Sequence, residues 1–457
     1  MAHFTQSCLV GACWVGIAAL SGASSPAHAA TRTVTTCADS GAGSLRATVA
    51  AAASGDTVDL RSLACNRIVL TSGAIMIPQH SLAIRGPGVR RFSVSGNYHS
   101  SVFRHGGTGT LALRGFAIEQ GQYRAHDEAN GGCIYTAGSL DGNDIAVRHC
   151  GAYAVRNALG GGIYAAGNVT LFYSAVYSNG TNGAGSAGGG VTLGTVLPGG
   201  ILADGHLRAH RTRFVGNTSG TAGAIRALGG VDITYSTIAN NHARAASGAM
   251  DVFDNGTPSR IAYSTISGNS ADGQVGAFNL TNVSIENTTI SGNRSPFISV
   301  GTIGGPSSIV NSTITANITT TPFASNCVPG AVLMWNDLHV DSSIIAHNIC
   351  NGVPSWDITG FGPSGVNPPP PPSIMGADNL IERFVLLTAV PADTITGVDP
   401  LLGPLSDNGG RTLTHLPMSN SLAIDHGNNL AGFEYDQRGA GFPRTKGART
   451  DIGAVER

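Results

Sequence analysis

Charged residues are scarce in this chain of 457 residues, because Asp, Glu, Lys and Arg together make up 12% of it. Ordinary soluble domains carry about a quarter. The formal net charge is −1 at pH 7, and the pI is near 6.9. Binding to nucleic acid depends on a concentrated basic surface, so we expect no nucleic-acid partner.

Motifs for metals and phosphates are missing as well. The 14 histidines are scattered, and no His or Cys pair stands at ligand spacing. The Gly-rich stretch from 183 to 190 lacks the Lys-Ser or Lys-Thr that completes a phosphate loop. The sequence therefore predicts no metal, no cofactor and no recognisable set of catalytic residues.

Long apolar runs are confined to the first thirty residues. An apolar stretch from Leu9 to Leu20 leads into an Ala27-His28-Ala29 cleavage pattern, and it is too short to cross a bilayer. We interpret residues 1 to 30 as a secretory signal peptide and expect no transmembrane segment after its removal. The mature protein is then expected to be secreted, extracellular or at the cell surface, with the periplasm as an alternative.

Glycine, in contrast, is abundant, and asparagine recurs in a fixed pattern. Gly supplies 64 residues, about twice the usual share. An apolar residue, two spacers and Asn occur seven times, at intervals of 38, 24, 28, 24, 24 and 31 residues. A recurring unit of this kind indicates a solenoid whose longer intervals carry inserted loops. The seven asparagines are Asn179, Asn217, Asn241, Asn269, Asn293, Asn317 and Asn348.

Each unit also contains a second apolar position and a Gly-small-apolar triplet such as Gly223-Ala224-Ile225. Alternation in pieces such as Val231-Asp232-Ile233-Thr234 has the period of a strand. Three short strands per unit predict an all-β, right-handed parallel β-helix. The asparagines are expected at one corner, where they tolerate left-handed backbone and hydrogen-bond their own copies.

The ends of such a coil need covers, and the sequence suggests both. Residues 31 to 67 are expected to form an N-terminal cap with a helix that begins at Ser44. Residues 68 to 350 hold the repeats, and residues 351 to 375 form a Gly- and Pro-rich loop. Residues 376 to 457 are expected to supply further coils and a cap at the far end.

Six cysteines remain in the mature chain, an even number that suits disulfides in an oxidising compartment. Neighbouring positions suggest three bridges, although reduced thiols packed in the core are the alternative. The expected pairs are Cys37 with Cys65, Cys133 with Cys150, and Cys327 with Cys350.

Several stretches resemble secreted bacterial right-handed parallel β-helix proteins, among them Cys37 to Arg46 and the coil Gly160-Gly161-Gly162-Ile163-Tyr164. The closing Asp451 to Glu456 resembles the choice-of-anchor C-terminal region of that group. Phe214 to Asn217, followed by Gly223-Ala224-Ile225, is similar to repeat motifs of polymorphic outer membrane proteins. The resemblance implies a pectin-lyase-like solenoid in a secreted or surface protein of undefined activity.

The sequence favours an interaction protein, adhesin-like or polysaccharide-binding, with a polysaccharide or a cell-surface protein as partner. The alternative is a polysaccharide lyase or glycoside hydrolase of this fold, which needs acids clustered on adjacent coils. The best cluster is Arg226, Asp251 and Asp254, for which a solvated ion pair is the simpler interpretation. Asp204-Gly205-His206 is an isolated candidate.

Two outward columns contain further acids. The register places Asp232 between Arg208 and Arg260, while Glu286 and Asp341 fall two coils apart, too far for one site. A row of Thr is expected to face outward on four consecutive coils, where it can meet sugars or ordered water, although β-propensity explains it equally well. Its members are Thr237, Thr265, Thr289 and Thr313.

Overall fold

The computed structural model describes residues 29 to 457 apart from 194, 197 to 201, 204, 254 to 255, 321 to 328 and 362 to 369. Nearly all of the proposed signal peptide therefore lies outside the described residues, as do Asp204, Asp254 and Cys327. The chain is an all-β parallel solenoid of about 12 turns with almost no helix, as the sequence predicts. Helices in the described ranges are all too short or too polar to cross a membrane.

Each coil passes through three sheets. Each sheet is built by the parallel pairing of equivalent strands in successive coils. Sheet I holds two strands of a coil in two columns, with a turn between them. Sheet II follows the corner asparagine of the repeat, and sheet III leads to the next coil. The sequence predicts only three strands per coil, and sheet II is the addition. Its strands have only two or three residues. A strand this short cannot show the alternation of apolar and polar residues by which a strand is recognised in a sequence.

Sheet I has 23 strands in the described part of the chain. Two of them, Thr110–Glu119 and Ser139–Arg148, run through the turn and belong to both columns. The first column also contains Thr31–Thr33, Thr57–Asp59, Leu82–Arg85, Val169–Phe172, Leu207–His210, Val231–Thr234, Ser259–Ala262, Val283–Glu286, Ser307–Val310, Leu338–Asp341 and Ile374–Met375. The second column also contains Arg67–Val69, Ser93–Ser95, Ala175–Tyr177, Arg213–Val215, Thr237–Ala239, Thr265–Ser267, Thr289–Ser291, Thr313–Thr315, Ile344–Ala346 and Leu380–Ile381.

Sheets II and III complete the coils. Sheet II contains Gln122–Arg124, Gly151–Tyr153, Gly180–Asn182, Thr218–Ser219, His242–Ala243, Ser270–Ala271, Arg294–Ser295, Ile318–Thr319, Ile349–Cys350 and the antiparallel Val353–Pro354. Sheet III contains Ile75–Ile77, Phe103–His105, Ile134–Thr136, Ile163–Ala165, Val191–Leu193, Ile225–Ala227, Met250–Val252, Phe278–Thr281, Gly301–Gly304, Val332–Met334, Ile358–Gly360 and Phe384–Val385. Two small pairs stand apart, Glu128–Asn130 with Asn157–Leu159 and Thr195–Val196 with Leu202–Ala203.

The core is a stack of apolar side chains that come mainly from the strands of sheets I and III. Ile233, Ile261 and Ile285 follow one another in register and are fully buried. The glycine of the triplet, which precedes most sheet III strands, lets neighbouring coils approach closely. A Cβ on Gly223 would lie 1.9 Å from the carbonyl oxygen of Gly248, which no side chain tolerates, so the Gly of the triplet is required by packing.

The seven asparagines stack at one corner, as predicted. Asn241 Nδ2 donates to the carbonyl of Phe214 at 3.0 Å and to Asn269 Oδ1 at 2.8 Å, and Asn269 Oδ1 also accepts the Asn241 backbone N–H. The other members link in the same sense. At the far end Asn348 donates to Asp357 Oδ1 at 2.7 Å. Burial raises the pKa of Asp357 to about 7 against this hydrogen bond.

The N-terminal cap contains the α-helix Leu45–Ala51. The Ser44 hydroxyl accepts the N–H of Ala47 at 3.2 Å, which confirms the predicted helix start. Leu45 and Val49 are buried in the main core, and the strands Thr31–Thr33 and Thr57–Asp59 extend sheet I ahead of residue 68. The cap thus joins the solenoid rather than standing apart from it.

Disulfides form at two of the predicted pairs, Cys37 with Cys65 and Cys133 with Cys150. The first holds the N-terminal cap, and the second joins sheet III to the start of sheet II. Cys350 is also disulfide-bonded, while its expected partner lies outside the described residues.

The C-terminal residues 397 to 457, which we call the C-terminal strap, correct the prediction of a simple far-end cap. The strap packs on the last coils through Ala423 and Ile452 and then continues back along the second column of sheet I. Thr289 Oγ1 donates to Gln437 Oε1 at 2.6 Å, and Thr313 Oγ1 accepts the N–H of Ala454 at 3.0 Å. Lacking the repeat unit, the strap cannot add a coil, so its polar groups pair with the hydroxyls of existing coils.

Candidate functional site

The acids on the first column of sheet I form ion pairs along the surface. Asp232 lies between Arg208, at 3.4 Å, and Arg260, at 3.9 Å, as the register predicts. Arg260 also holds Glu286 at 2.6 Å. Asp341 lies two coils beyond Glu286. These acids are therefore spread along a charge ladder and are not gathered into one site.

Asp251 and Arg226 are neighbours in register on sheet III, as predicted. The Asp251 carboxylate accepts hydrogen bonds from the Ser247 hydroxyl and from Asn279 Nδ2, and burial raises its pKa. The guanidinium of Arg226 lies over the ring of Phe253 at 5.3 Å. The carboxylate is thus a member of a buried polar network. In the described ranges, no group of three or more His, Cys, Asp or Glu is placed to hold a metal.

The Thr row lies on one column as predicted, but the expectation of an open surface is wrong. Thr265 and Thr289 are fully buried and Thr313 is 2% exposed, because the C-terminal strap covers them. Thr237 stays half-buried beside the edge of the strap. His206, from the isolated motif, lies with Nδ1 2.9 Å from the carbonyl of Gly229.

An open groove occupies the same column ahead of the strap. Ala117, Ala146, Ala175, Arg213 and Thr237 succeed one another on adjacent strands, and the alanines leave a low floor. Three hollows follow this floor, with cavity volumes of about 340, 520 and 370 Å³. Neighbouring hollows share lining residues, so they form one channel, which we call the arginine groove.

Arginines line the groove along its whole length. They come from strands, from the loop after Gly88, from a turn of sheet I and from the strap. Seven arginines stand against three carboxylates: Asp407 in the lining, Glu119 beneath it, and Asp144, whose Oδ2 accepts the N–H of the lining residue Val89 at 3.4 Å. This leaves an excess of four positive charges. The seven are Arg67, Arg90, Arg91, Arg148, Arg211, Arg213 and Arg411.

Glu119 fixes two of these side chains. It accepts hydrogen bonds from Arg67 at 2.5 Å and from Arg148 at 2.7 Å. Burial opposes ionisation of Glu119, but hydrogen bonds from Ser93 and Arg148 outweigh it and lower the pKa. Arg148 also donates to the Tyr177 hydroxyl at 2.8 Å. This pair of arginines is therefore held in place before any ligand arrives.

The other arginines are freer to meet a ligand. Arg211 donates to the Tyr173 hydroxyl at 3.1 Å. The remaining four are exposed, and none of them has a carboxylate partner within the described residues. They are Arg90, Arg91, Arg213 and Arg411.

One wall of the groove is a row of large residues in left-handed backbone. They occupy the same turn of successive coils, with φ between 50° and 53°, a conformation that bulky residues adopt at a cost and that often marks functional constraint. Beyond Tyr263, the next two coils under the strap carry Asn287 and Asn311 at this turn, a residue type that tolerates left-handed backbone well. The row consists of Tyr173, Arg211, Tyr235 and Tyr263.

Aromatic stacking continues along this wall. The rings of Tyr235 and Tyr263 lie 4.7 Å apart and 7° from parallel, which matches the spacing of adjacent strands. His210 packs edge-on against Tyr235, and Phe433 of the strap closes the row against Tyr263. Burial and the charges of Arg211 and other arginines lower the pKa of His210, so its ring is neutral at pH 7.

The sequence alone does not reveal the arginine groove. Its residues do not share one position of the repeat, and Arg411 lies almost two hundred residues after Arg213. Two local signals were available in a chain with few charges: Arg90-Arg91 after Gly-Pro-Gly-Val, and Arg211 and Arg213 on either side of one Thr. Neither shows that the two pairs meet on one surface.

Comparison with solved structures finds several similar proteins, including the following two. Pectate lyase Pel9A shares 14% identity over 94% of this chain and 98% of its own, with a TM-score of 0.46. The PL6 family alginate lyase AlyGC shares 10% identity over 84% of this chain and 55% of its own, with a TM-score of 0.43. No family model matches the chain, and no curated protein does. At these values the likeness bears on architecture alone.

Proposed function

We propose that this protein is a secreted or cell-surface β-helix protein that binds an anionic polysaccharide in the arginine groove. The observation that carries the proposal is the alignment of seven arginines and a tyrosine wall along one open channel. A guanidinium matches carboxylate and sulfate groups through paired N–H donors. Tyrosine adds an apolar face with a polar tip, which suits a sugar ring.

The floor of the groove supports this function because it is built of paired strands. Groups on adjacent coils repeat at about 4.8 Å, and their backbone does not need to be ordered on binding, which reduces the entropy cost of association. A polymer with regularly spaced charges fits such a surface. The disulfides accord with an oxidising location outside the cytosol.

Calorimetric titration with polygalacturonate, alginate, dextran sulfate and neutral dextran tests the proposal. We expect binding to at least one anionic polymer and none to dextran, with affinity that falls as salt screens the exposed charges. The triple variant Arg90→Ala, Arg213→Ala, Arg411→Ala removes three exposed arginines without leaving a buried acid unpaired. We expect it to weaken binding by roughly tenfold or more, equivalent to at least about 1.4 kcal/mol.

The matched control removes three exposed arginines elsewhere, through Arg156→Ala, Arg294→Ala and Arg383→Ala. It has the same net charge as the groove variant and should keep the affinity of the parent protein. Equal loss in both triple variants would show that net charge alone drives binding. No binding to any of the three anionic polymers would refute the proposal.

A further inference from the structure

The second column of sheet I is open to solvent over its first half, and the C-terminal strap covers its second half. From Arg67 to Thr237 it crosses seven adjacent strands, about 29 Å at roughly 4.8 Å per strand. Thr265, Thr289 and Thr313 continue the same column in unbroken register. The C-terminal strap covers all three, so the groove stops between Thr237 and Thr265.

The end of the groove is a fixed wall. Arg411, Thr412 and Leu413 of the strap line the last hollow. The Thr265 hydroxyl donates to the carbonyl of Leu413 at 2.6 Å, and Gln437 Nε2 donates to Thr412 Oγ1 at 3.0 Å. Gln437 and Thr412 are buried. A polymer that follows the floor of the groove therefore meets packed protein at this point.

The opposite end is open. Arg67–Val69 is the first strand of the second column, and Arg67 and Arg91 line the hollow there and are both exposed. The column has no earlier strand in the described residues, so the groove runs out at the N-terminal end of the solenoid. The channel thus has one entrance along its axis and one closed end.

We infer that the arginine groove binds the terminus of an anionic polysaccharide chain and not an internal stretch, an inference that rests on the proposed function. The terminal sugar lies against the wall. There Arg411 forms an ion pair with its anionic group, and the Asp407 carboxylate accepts hydrogen bonds from its hydroxyl groups. The following sugars extend over Ala175 and Ala146 towards Arg91. The strap is then a determinant of specificity as well as a structural element.

Stoichiometry against chain length tests the inference. Size-defined oligogalacturonates of increasing length, or dextran sulfate fractions if that polymer binds more tightly, are titrated by calorimetry. We expect the number of protein molecules per polymer chain to stay at about one as the chain lengthens. A number that rises in proportion to length would overturn the inference while leaving the proposed function intact, whereas no binding at any length would refute both.

Two single variants give an independent test, because they lie at opposite ends of the groove and both side chains are exposed. Arg411→Ala should weaken binding of oligomers of every length. Arg91→Ala should weaken only those long enough to reach the entrance. Equal effects of the two variants on the shortest oligomer that binds would contradict an ordered, end-anchored site. So would unchanged affinity for oligomers that carry a bulky label on both termini.

Discussion

The corner asparagines show how much a single side chain contributes in a repeated structure. Asn293 is fully buried, donates to the carbonyl of Ile266 and to Asn317 Oδ1, and accepts from Asn269. Every polar atom of its amide is used. Its replacement therefore breaks hydrogen bonds in its own coil and leaves partners on both neighbouring coils unsatisfied.

We expect Asn293→Leu to lower the free energy of unfolding by about 3 kcal/mol, because each unsatisfied buried partner costs about 1 to 3 kcal/mol. Asn351→Leu is the control, since Asn351 is exposed with a φ of 51° and its replacement adds only backbone strain of about 1 kcal/mol. Chemical denaturation of both variants measures the difference. Equal destabilisation would contradict a structural role of the stack.

Two buried carboxyls predict a pH dependence of stability. Burial raises the pKa of Asp357 to about 7, and burial raises that of Glu456 to about 7 although Arg444 opposes it. Both values exceed those of the unfolded chain, so the folded state binds more protons between about pH 4 and 7. These two carboxyls therefore lower the free energy of unfolding as the pH rises through this window, while His105, His210 and His415, whose pKa is lowered by burial, act in the opposite direction.

We expect the stability of the parent relative to Asp357→Asn to fall by about 2 to 4 kcal/mol from about pH 4.5 to about pH 7.5, measured by chemical denaturation of both proteins. Asp357→Asn cannot titrate, so this variant lacks the part of the pH dependence that Asp357 supplies, and it also loses one carboxylate oxygen that accepts the Arg383 N–H. A stability difference between the two proteins that stays the same across this pH range would contradict the assignment.

At the scale of elements, the N-terminal helix covers the first coils. Leu45→Asp places a carboxylate in the main core, where an unpaired charge is costly. We expect this variant to form oligomers or aggregates, detected by light scattering, because the strand edges below become accessible. Ala50→Asp, on the exposed face of the same helix, should remain as monodisperse as the parent. A monodisperse Leu45→Asp protein would contradict the lid.

The sequence predicts repeated elements that carry an apolar or Gly/Asn pattern and misses elements that lack such a pattern. The apolar positions, the Gly triplets and the Asn corner recur at fixed offsets, so the coils and their register follow from the pattern alone. Sheet II could not be predicted from the sequence, because its short strands consist of residues such as Ser270 and Ala271, which show no apolar pattern. The path of the strap could not be predicted either, because its contacts join residues that are distant in sequence. Gln437 and Thr289, for example, are 148 residues apart.

At the scale of the whole molecule, the groove depends on segments that are distant in sequence. Arg90, Arg213 and Arg411 come from a loop, a strand and the strap, and only the completed solenoid brings them together. The candidate acids, in contrast, were placed well by register: Asp232 does lie between two arginines. A regular coil makes neighbours predictable within a column, while surfaces that join several columns need the three-dimensional path.

We expect the purified protein to release no unsaturated sugars from polygalacturonate or alginate, with or without Ca²⁺, measured by absorbance of the product. The groove supplies arginine guanidinium groups and tyrosine rings, which suit binding of a polyanion. The carboxylate of Asp251 is held in a hydrogen-bond network on sheet III, away from the groove. Turnover that is abolished by Asp251→Asn, with the fold intact, would overturn this expectation. Turnover retained in that variant but lost in the groove triple variant would instead make the groove a catalytic site.

The asparagine stack also has a direction. Every amide oxygen accepts hydrogen bonds from the preceding coil, and every NH₂ group donates one hydrogen bond to the Asn or Asp oxygen that follows it in the stack, from the N–H of Cys150 to the carboxylate of Asp357. An additional coil inserted anywhere between these two residues would meet the same oxygen on one side and the same NH₂ group on the other. Whole coils can therefore be added to or removed from the solenoid during evolution. The hydrogen-bonding groups at both ends of the asparagine stack stay the same.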